Sequence, residues 1–305
     1  MRKLIDSHVH IFEHIRGFGR SGELRALGQG YARWATGETI KIIPNGLGDR
    51  EFLAETVLEL MDNNKIEKAV LLQGILYGFM NEYVNEVVTR YPERFVGAGT
   101  YDPYALNAEK IFDRLLNELC YRIIKFELSE GGGFMGFHES FEIDGELMLS
   151  FWEKANRNNL VVVIDIGSPG MKSYQYQAVA KIAHKYPALQ IVIPHLGAPT
   201  LATEAEYLKM LNTIAPCQNV AFDLAALQWN VFPETAPHPT ALHYLSLAHE
   251  LIGAKRLLWG TDMPFVLTRF SIEDLVSAIE NSGIFSSTEL EDVFYWNAER
   301  IYFQG

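Results

Sequence analysis

The sequence predicts a (β/α)8 TIM barrel. Three observations lead there: eight short β-rich apolar runs recur along the chain, helical patterns separate them, and several runs are apolar throughout. Continuous rather than alternating apolar strands belong to parallel sheets covered on both faces. The runs are KLIDSHV (3–9), KAVLLQG (68–74), RFVGAGTY (94–101), RIIKFEL (122–128), LVVVIDIG (160–167), LQIVIPH (189–195), NVAFDLA (219–225) and RLLWGTD (256–262). Between them, DREFLAETVLELMDNNK (49–65) carries Phe52, Leu53, Val57, Leu60 and Met61 at helical spacing and ends in Asn-Asn. NAEKIFDRLLNEL (107–119), DGELMLSFWEKANRNN (144–159), SYQYQAVAKIAHKYP (173–187) and TALHYLSLAHELIG (240–253) follow the same period. A doubly wound open sheet is the competing architecture. Strand–helix alternation over most of one 305-residue domain favours the barrel.

Three connections are too long for turns: residues 12–48, 129–143 and 228–239. All leave the C-terminal ends of predicted strands, where barrel enzymes build their sites, so they are candidate pocket walls or lids. GFGRSG (17–22) inside the first matches Gly-x-Gly-x-x-Gly. A dinucleotide loop must join strand to helix directly, and here several residues intervene, so the match carries little weight.

Composition narrows the function classes. Lys+Arg is 26 and Asp+Glu is 38, a net charge of −12, which argues against nucleic-acid and acidic-membrane partners. A small-molecule substrate is the expected partner, and self-association is left open. The two cysteines, Cys120 and Cys217, stand far apart in no ligand spacing, which fits a reducing cytoplasm. No run approaches a membrane span, and the N-terminus lacks a signal-peptide pattern. The closing ERIYFQG fits a Glu-x-x-Tyr-x-Gln-Gly cleavage pattern, yet WNAERIYF continues an amphipathic helix and reads as native.

Barrel chemistry comes from the last residues of several strands. The first strand offers His8 and His10, the fourth Lys125 and Glu127, the fifth Asp165, the sixth His195 and the eighth Asp262. Each histidine alone reads as an ordinary hydrogen-bonded residue. His-x-His on one strand face together with Asp262 reads differently, because strands one and eight become neighbours when a barrel closes. Imidazoles with a carboxylate are the usual ligands for zinc and related ions.

DSHVHIF, PHLGAP and WGTDMPF resemble the strand 1, 6 and 8 signatures of the amidohydrolase superfamily, in its amidohydrolase-related (amidohydrolase 2) group. That group includes aminocarboxymuconate-semialdehyde decarboxylase and lactonases acting on pyrone-dicarboxylate and sugar lactones. The resemblance implies His8 and His10 as metal ligands, Asp262 as ligand or proton acceptor, and His195 as the group that polarises substrate or shuttles a proton. The implied cofactor is one divalent ion, zinc before manganese, with a metal-free site as the alternative. Metal-dependent members carry histidine at the end of strand 5; here Asp165 stands there, either as a substitute oxygen ligand or as the mark of weak metal binding. Lys125 corresponds to the carboxylated lysine of binuclear members, or serves as a cation for an anionic substrate.

The implied reaction is hydrolysis of an ester, lactone or amide bond in a small carboxylated molecule through metal-activated water. Non-oxidative decarboxylation by the same constellation is the alternative, and a non-catalytic binding barrel is a third reading. Lys125 and Arg269 are the candidate substrate-binding cations, with Arg16, Arg20, Arg25 and Arg33 in the first long connection as further carboxylate partners.

Overall fold

A computed structural model describes residues 3–304. Eight parallel strands, β1 (Leu4–Val9), β6 (Ile66–Leu71), β7 (Phe95–Gly99), β8 (Ile123–Glu127), β9 (Val161–Asp165), β10 (Gln190–Ile193), β11 (Val220–Asp223) and β12 (Leu257–Leu258), follow one another in sheet order. Every predicted run lands on one of them. Crossovers are made by α1 (Ala54–Asn64), α2 (Asn81–Arg90), α3 (Ala108–Asn117), α4 (Leu149–Arg157), α5 (Tyr176–Lys185), α6 (Glu204–Ile214) and the pair α7 (Leu227–Asn230) and α8 (Pro239–Ile252). After β12 come α9 (Ile272–Glu280) and α10 (Ser287–Glu291), and the chain stays helical through Phe303. Among the described residues, no helix is long and apolar enough to cross a membrane.

The barrel closes where its first strand meets its last. Ser7 N donates to the Trp259 carbonyl at 3.0 Å, Asp262 N to His8 O at 2.9 Å and His10 N to Met263 O at 2.9 Å. Asp6, fully buried, accepts from Thr261 N at 2.9 Å, Thr261 Oγ1 at 2.7 Å and His8 N at 3.1 Å. Gly260 is required at this seam: a Cβ there would lie 3.0 Å from both the His8 Cβ and the Ser7 Oγ. These bonds bring Asp262 beside His8 and His10 despite their separation in sequence.

Sequence and structure differ most in residues 12–48. The stretch read as a loop holds a four-stranded antiparallel sheet of β2 (Arg16–Gly19), β3 (Gly22–Gly28), β4 (Tyr31–Trp34) and β5 (Thr39–Lys41). GFGRSG is the β2–β3 hairpin, with Gly22 at φ +80°, so it opens no helix and cradles no phosphate. Arg16, Arg25 and Arg33 stand opposite one another on the solvent face of this sheet, and Arg20 is also exposed. Helix α1 begins later than its period suggests, because Phe52 is held in a backbone bridge with Phe12 at 2.8 and 2.9 Å.

Helix α10 is fixed by a capping box. Glu289 Oε2 accepts from Ser286 N and Ser286 Oγ, both at 2.8 Å, while Oε1 meets His249 Nε2 at 2.8 Å. The His249 contact, then the Ser286 bonds, hold the Glu289 carboxyl down at about 2. A depressed folded pKa contributes stability above the unfolded value of about 4.3, and that contribution is lost as pH falls toward 2. Glu289→Gln is expected to cost about 0.5–1 kcal/mol at neutral pH, small because solvent screens the pair. The difference from wild type should shrink below about pH 4 in urea unfolding.

Candidate active site

Two donor bonds set the site. His8, on β1 and fully buried, donates from Nδ1 to Asp223 Oδ2 at 2.9 Å; His10 donates from Nδ1 to the Leu72 carbonyl at 2.9 Å. Both protons are thereby placed on Nδ1, and each Nε2 keeps a lone pair. Residues i and i+2 share a strand face, so the two Nε2 atoms meet, 3.2 Å apart. Asp262 Oδ1 joins them at 3.1 Å from His10 and 3.6 Å from His8. Burial, reinforced by the nearby Lys125 charge, lowers both imidazoles from their ordinary pKa, so neither gains a second proton to relieve the contact.

Three lone pairs aimed at one another repel unless a cation lies between them. Ligand atoms about 2.0–2.1 Å from a tetrahedral ion are separated by roughly 3.4 Å, the scale found here. The donor set therefore fits a divalent ion. Asp262 is in place because its own backbone, past the end of β12, turns at φ +62°, a left-handed conformation that an aspartate tolerates. Burial alone would raise its carboxyl, but the His10 contact and the imidazoles around it, with His195 as the cation among them, prevail and hold it below the usual value.

His195 sits beside this group, its ring centroid 4.7 Å from that of His8. Its backbone is also left-handed, at φ +58°, and its N–H donates to Asp223 Oδ1 at 2.9 Å. Nδ1 donates to the Ala225 carbonyl at 3.1 Å, and Nε2 faces Asp165 Oδ2 at 3.6 Å. Burial pulls this imidazole down, but the Asp165 pairing and the charges of Asp165, Asp262 and Asp223 outweigh it and raise it to about 10. Asp165, which also accepts from Gly167 N at 2.9 Å, is held well below the ordinary carboxylate range: the His195 pairing overcomes burial.

The structure thus gathers His8, His10, Asp262 and His195, but it does not bring Asp165 into the ligand group. Among the described residues, the groups whose ligand atoms lie within 4.8 Å are His8–His10–Asp262 and His8–His195–Asp223. Asp165 is instead the partner of His195. In the second group Asp223 is hydrogen-bonded to the His8 ring and to the His195 backbone. Arg269 lies apart from both groups. Its guanidinium stacks 3.7 Å over Phe232 and 4.5 Å over Trp229.

Lys125 is buried at 2 % exposure and pairs with no carboxylate among the described residues. Glu127, beside it on β8, accepts from Ile75 N at 3.1 Å, and burial raises it to about 7 against the pull of Lys125. Gly74 keeps this approach open, since a Cβ there would collide with the Glu127 carboxylate.

Asp223 and Tyr77 went unseen as site residues in the sequence. Asp223 occupies the same strand-end position as the others, inside NVAFDLA, and that position was its signal. Tyr77 comes from the irregular turn after β6, where no pattern marks it. Its ring stacks on Phe12 at 4.8 Å and lies 4.7 Å from the His10 ring. Burial, then the charges of Asp262 and Glu127, raise its hydroxyl well above the ordinary tyrosine value.

Comparison with known proteins agrees with the barrel fold. The chain superposes on an amidohydrolase of Burkholderia multivorans with bound zinc over 98% of each chain, with a TM-score of 0.72 and 17% identity. It superposes on a probable 2-pyrone-4,6-dicarboxylic acid hydrolase of Acinetobacter baumannii with citric acid bound, again over 98% of each chain, at 0.70 and 16%. At those identities the likeness is one of fold. An L-fucono-1,5-lactonase of Burkholderia ambifaria is 37% identical over 93 residues, which span 28% of this chain and 30% of the lactonase. The amidohydrolase family model (Amidohydro_2) matches residues 5–304, and the chain belongs to that family.

Proposed function

We propose that this amidohydrolase opens the ester ring of a small carboxylated lactone, with a divalent ion, zinc foremost, held by His8, His10 and Asp262. The observation that carries the reading is the convergence of three lone pairs, 3.1–3.6 Å apart, whose protons are assigned elsewhere. The lactonase likeness and the zinc and hydrolase named for the structural neighbours support it. A bound ion supplies Lewis acidity, acidifying water and polarising the acyl oxygen.

The chain's own groups do the rest. The ionised Asp262 takes a proton from the attacking water and returns it to the departing ring oxygen as the acyl–oxygen bond breaks. His195, kept cationic by Asp165, stabilises negative charge developing on the acyl oxygen. Lys125, buried without an ion pair, holds a substrate carboxylate. The Tyr77 hydroxyl, close enough to feel Asp262 and Glu127, donates to the bound substrate. Tyr77→Phe is expected to lower kcat/KM by about tenfold with an unchanged melting temperature.

The test pairs metal analysis with a panel of sugar lactones, pyrone-carboxylates and aromatic acids. Stoichiometric zinc, together with lactone opening that chelation removes and zinc restores, is the expected result. Carbon dioxide release from an aromatic acid without lactone opening would replace hydrolysis by decarboxylation. Failure to retain zinc after loading would overturn the metal assignment.

A further inference from the structure

The segment after β11 and the segment after β12 line an open cleft of about 710 Å³ that the barrel chemistry does not use. None of His8, His10, His195 or Asp262 lines it. Its volume lies in the range of small-molecule sites, and Phe232, Leu242 and Phe270 give it apolar walls. Two polar groups on the same walls are free to meet a ligand: the exposed Arg269 and the buried His238.

The first is Arg269. The rings of Phe232 and Trp229, at 3.7 and 4.5 Å, steady the plane of its guanidinium. In a chain with 38 acidic residues it forms no ion pair among the described residues. The carboxylates on this rim keep their charge but are tied by hydrogen bonds to their own segments. Asp274 Oδ2 accepts from Ser271 N at 2.9 Å and Ser271 Oγ at 2.7 Å, capping α9. Glu234 accepts from Thr240 N at 3.0 Å and Thr240 Oγ1 at 2.8 Å.

The second is His238, which is 7 % exposed and meets the Phe270 ring at 5.6 Å. Its Nδ1 is buried with no hydrogen-bond partner. With Nδ1 buried, Nε2 is the ring nitrogen left to meet a ligand.

A planar fork held flat on aromatic rings, a second polar ring nitrogen and an apolar cleft together match an organic acid with a flat apolar body. We propose that this cavity binds a small aryl carboxylate, its carboxylate on Arg269 and His238 and its ring between Phe232 and Phe270. The site is separate from the barrel centre and does not depend on the reaction assigned there.

Benzoate is the probe, titrated into the purified full chain by calorimetry and by ligand-observed NMR. Saturable binding is expected. Arg269→Gln should weaken it by about tenfold or more, the loss that follows removal of a charge-assisted pair. Ala278→Trp, which puts a large ring into the cleft from α9 and keeps the Arg269 charge, should abolish it, and serves if Arg269→Gln folds poorly. Asp262→Asn should leave the affinity within about twofold. Absence of saturable binding, insensitivity to both cavity variants, or loss on Asp262→Asn alone would each overturn the proposal.

Discussion

Asp262→Asn is expected to reduce lactone turnover by a factor of about 10² to 10⁴, the usual contribution of a positioned acid–base group, while the barrel stays folded. Asparagine is the informative replacement because it keeps the shape of the side chain and tolerates the φ of +62°. The backbone bonds of this residue, Asp262 N to His8 O at 2.9 Å and Val266 N to Asp262 O at 3.3 Å, are untouched. What the variant removes is the negative charge facing His10 at 3.1 Å and the oxygen that accepts the proton. Circular dichroism and melting temperature should match wild type, so lost activity cannot be assigned to unfolding. Retention of activity within tenfold would sink the assignment of Asp262 as the base.

His8, His10 and Asp262 were legible because each signal is local. A period of two places the histidines together, and WGTD ends a strand that closure brings to β1. All eight barrel strands were legible for a related reason: runs such as Val161–Asp165, buried on both sides, leave an unbroken apolar signature. The small sheet at 16–41 was not. Its alternation, with Leu24 and Ala26 buried between exposed Glu23, Arg25 and Leu27, is only a few residues long and is framed by Gly22, Gly28 and Gly30, which read as loop. Helix α2 buries only Val84 and Val87, too few for a period to show. Helix α6 was not among the expected helices either, although Tyr207, Met210, Leu211 and Ile214 form a buried stripe at helical spacing. The roles of Asp165 and Asp223 were beyond reach because both depend on partners across neighbouring strands. A ligand-type residue at a strand end and a ring-orienting one look identical until the sheet is assembled.

Asp223→Asn is expected to weaken zinc binding by about 10- to 100-fold while leaving the fold intact. Asp223 is fully buried and serves three donors: His8 Nδ1 at 2.9 Å through Oδ2, and His195 N at 2.9 Å and Ala225 N at 3.1 Å through Oδ1. An asparagine that keeps its oxygen on the two backbone N–H groups must turn its amide toward His8. That amide donates, so His8 Nδ1 becomes the acceptor and its proton moves to Nε2. The displaced proton then lies where His10 Nε2 and Asp262 Oδ1 converge, in the space assigned to the ion. Asp223→Ala acts differently: it strands two buried backbone donors and should cost about 2–4 kcal/mol of stability as well. Zinc titration with a competing chelator, read beside urea unfolding of both variants, separates the two effects. If Asp223→Asn bound zinc as tightly as wild type, the histidine tautomers would not be set by Asp223, and the lone-pair argument for the metal site would lose its main support.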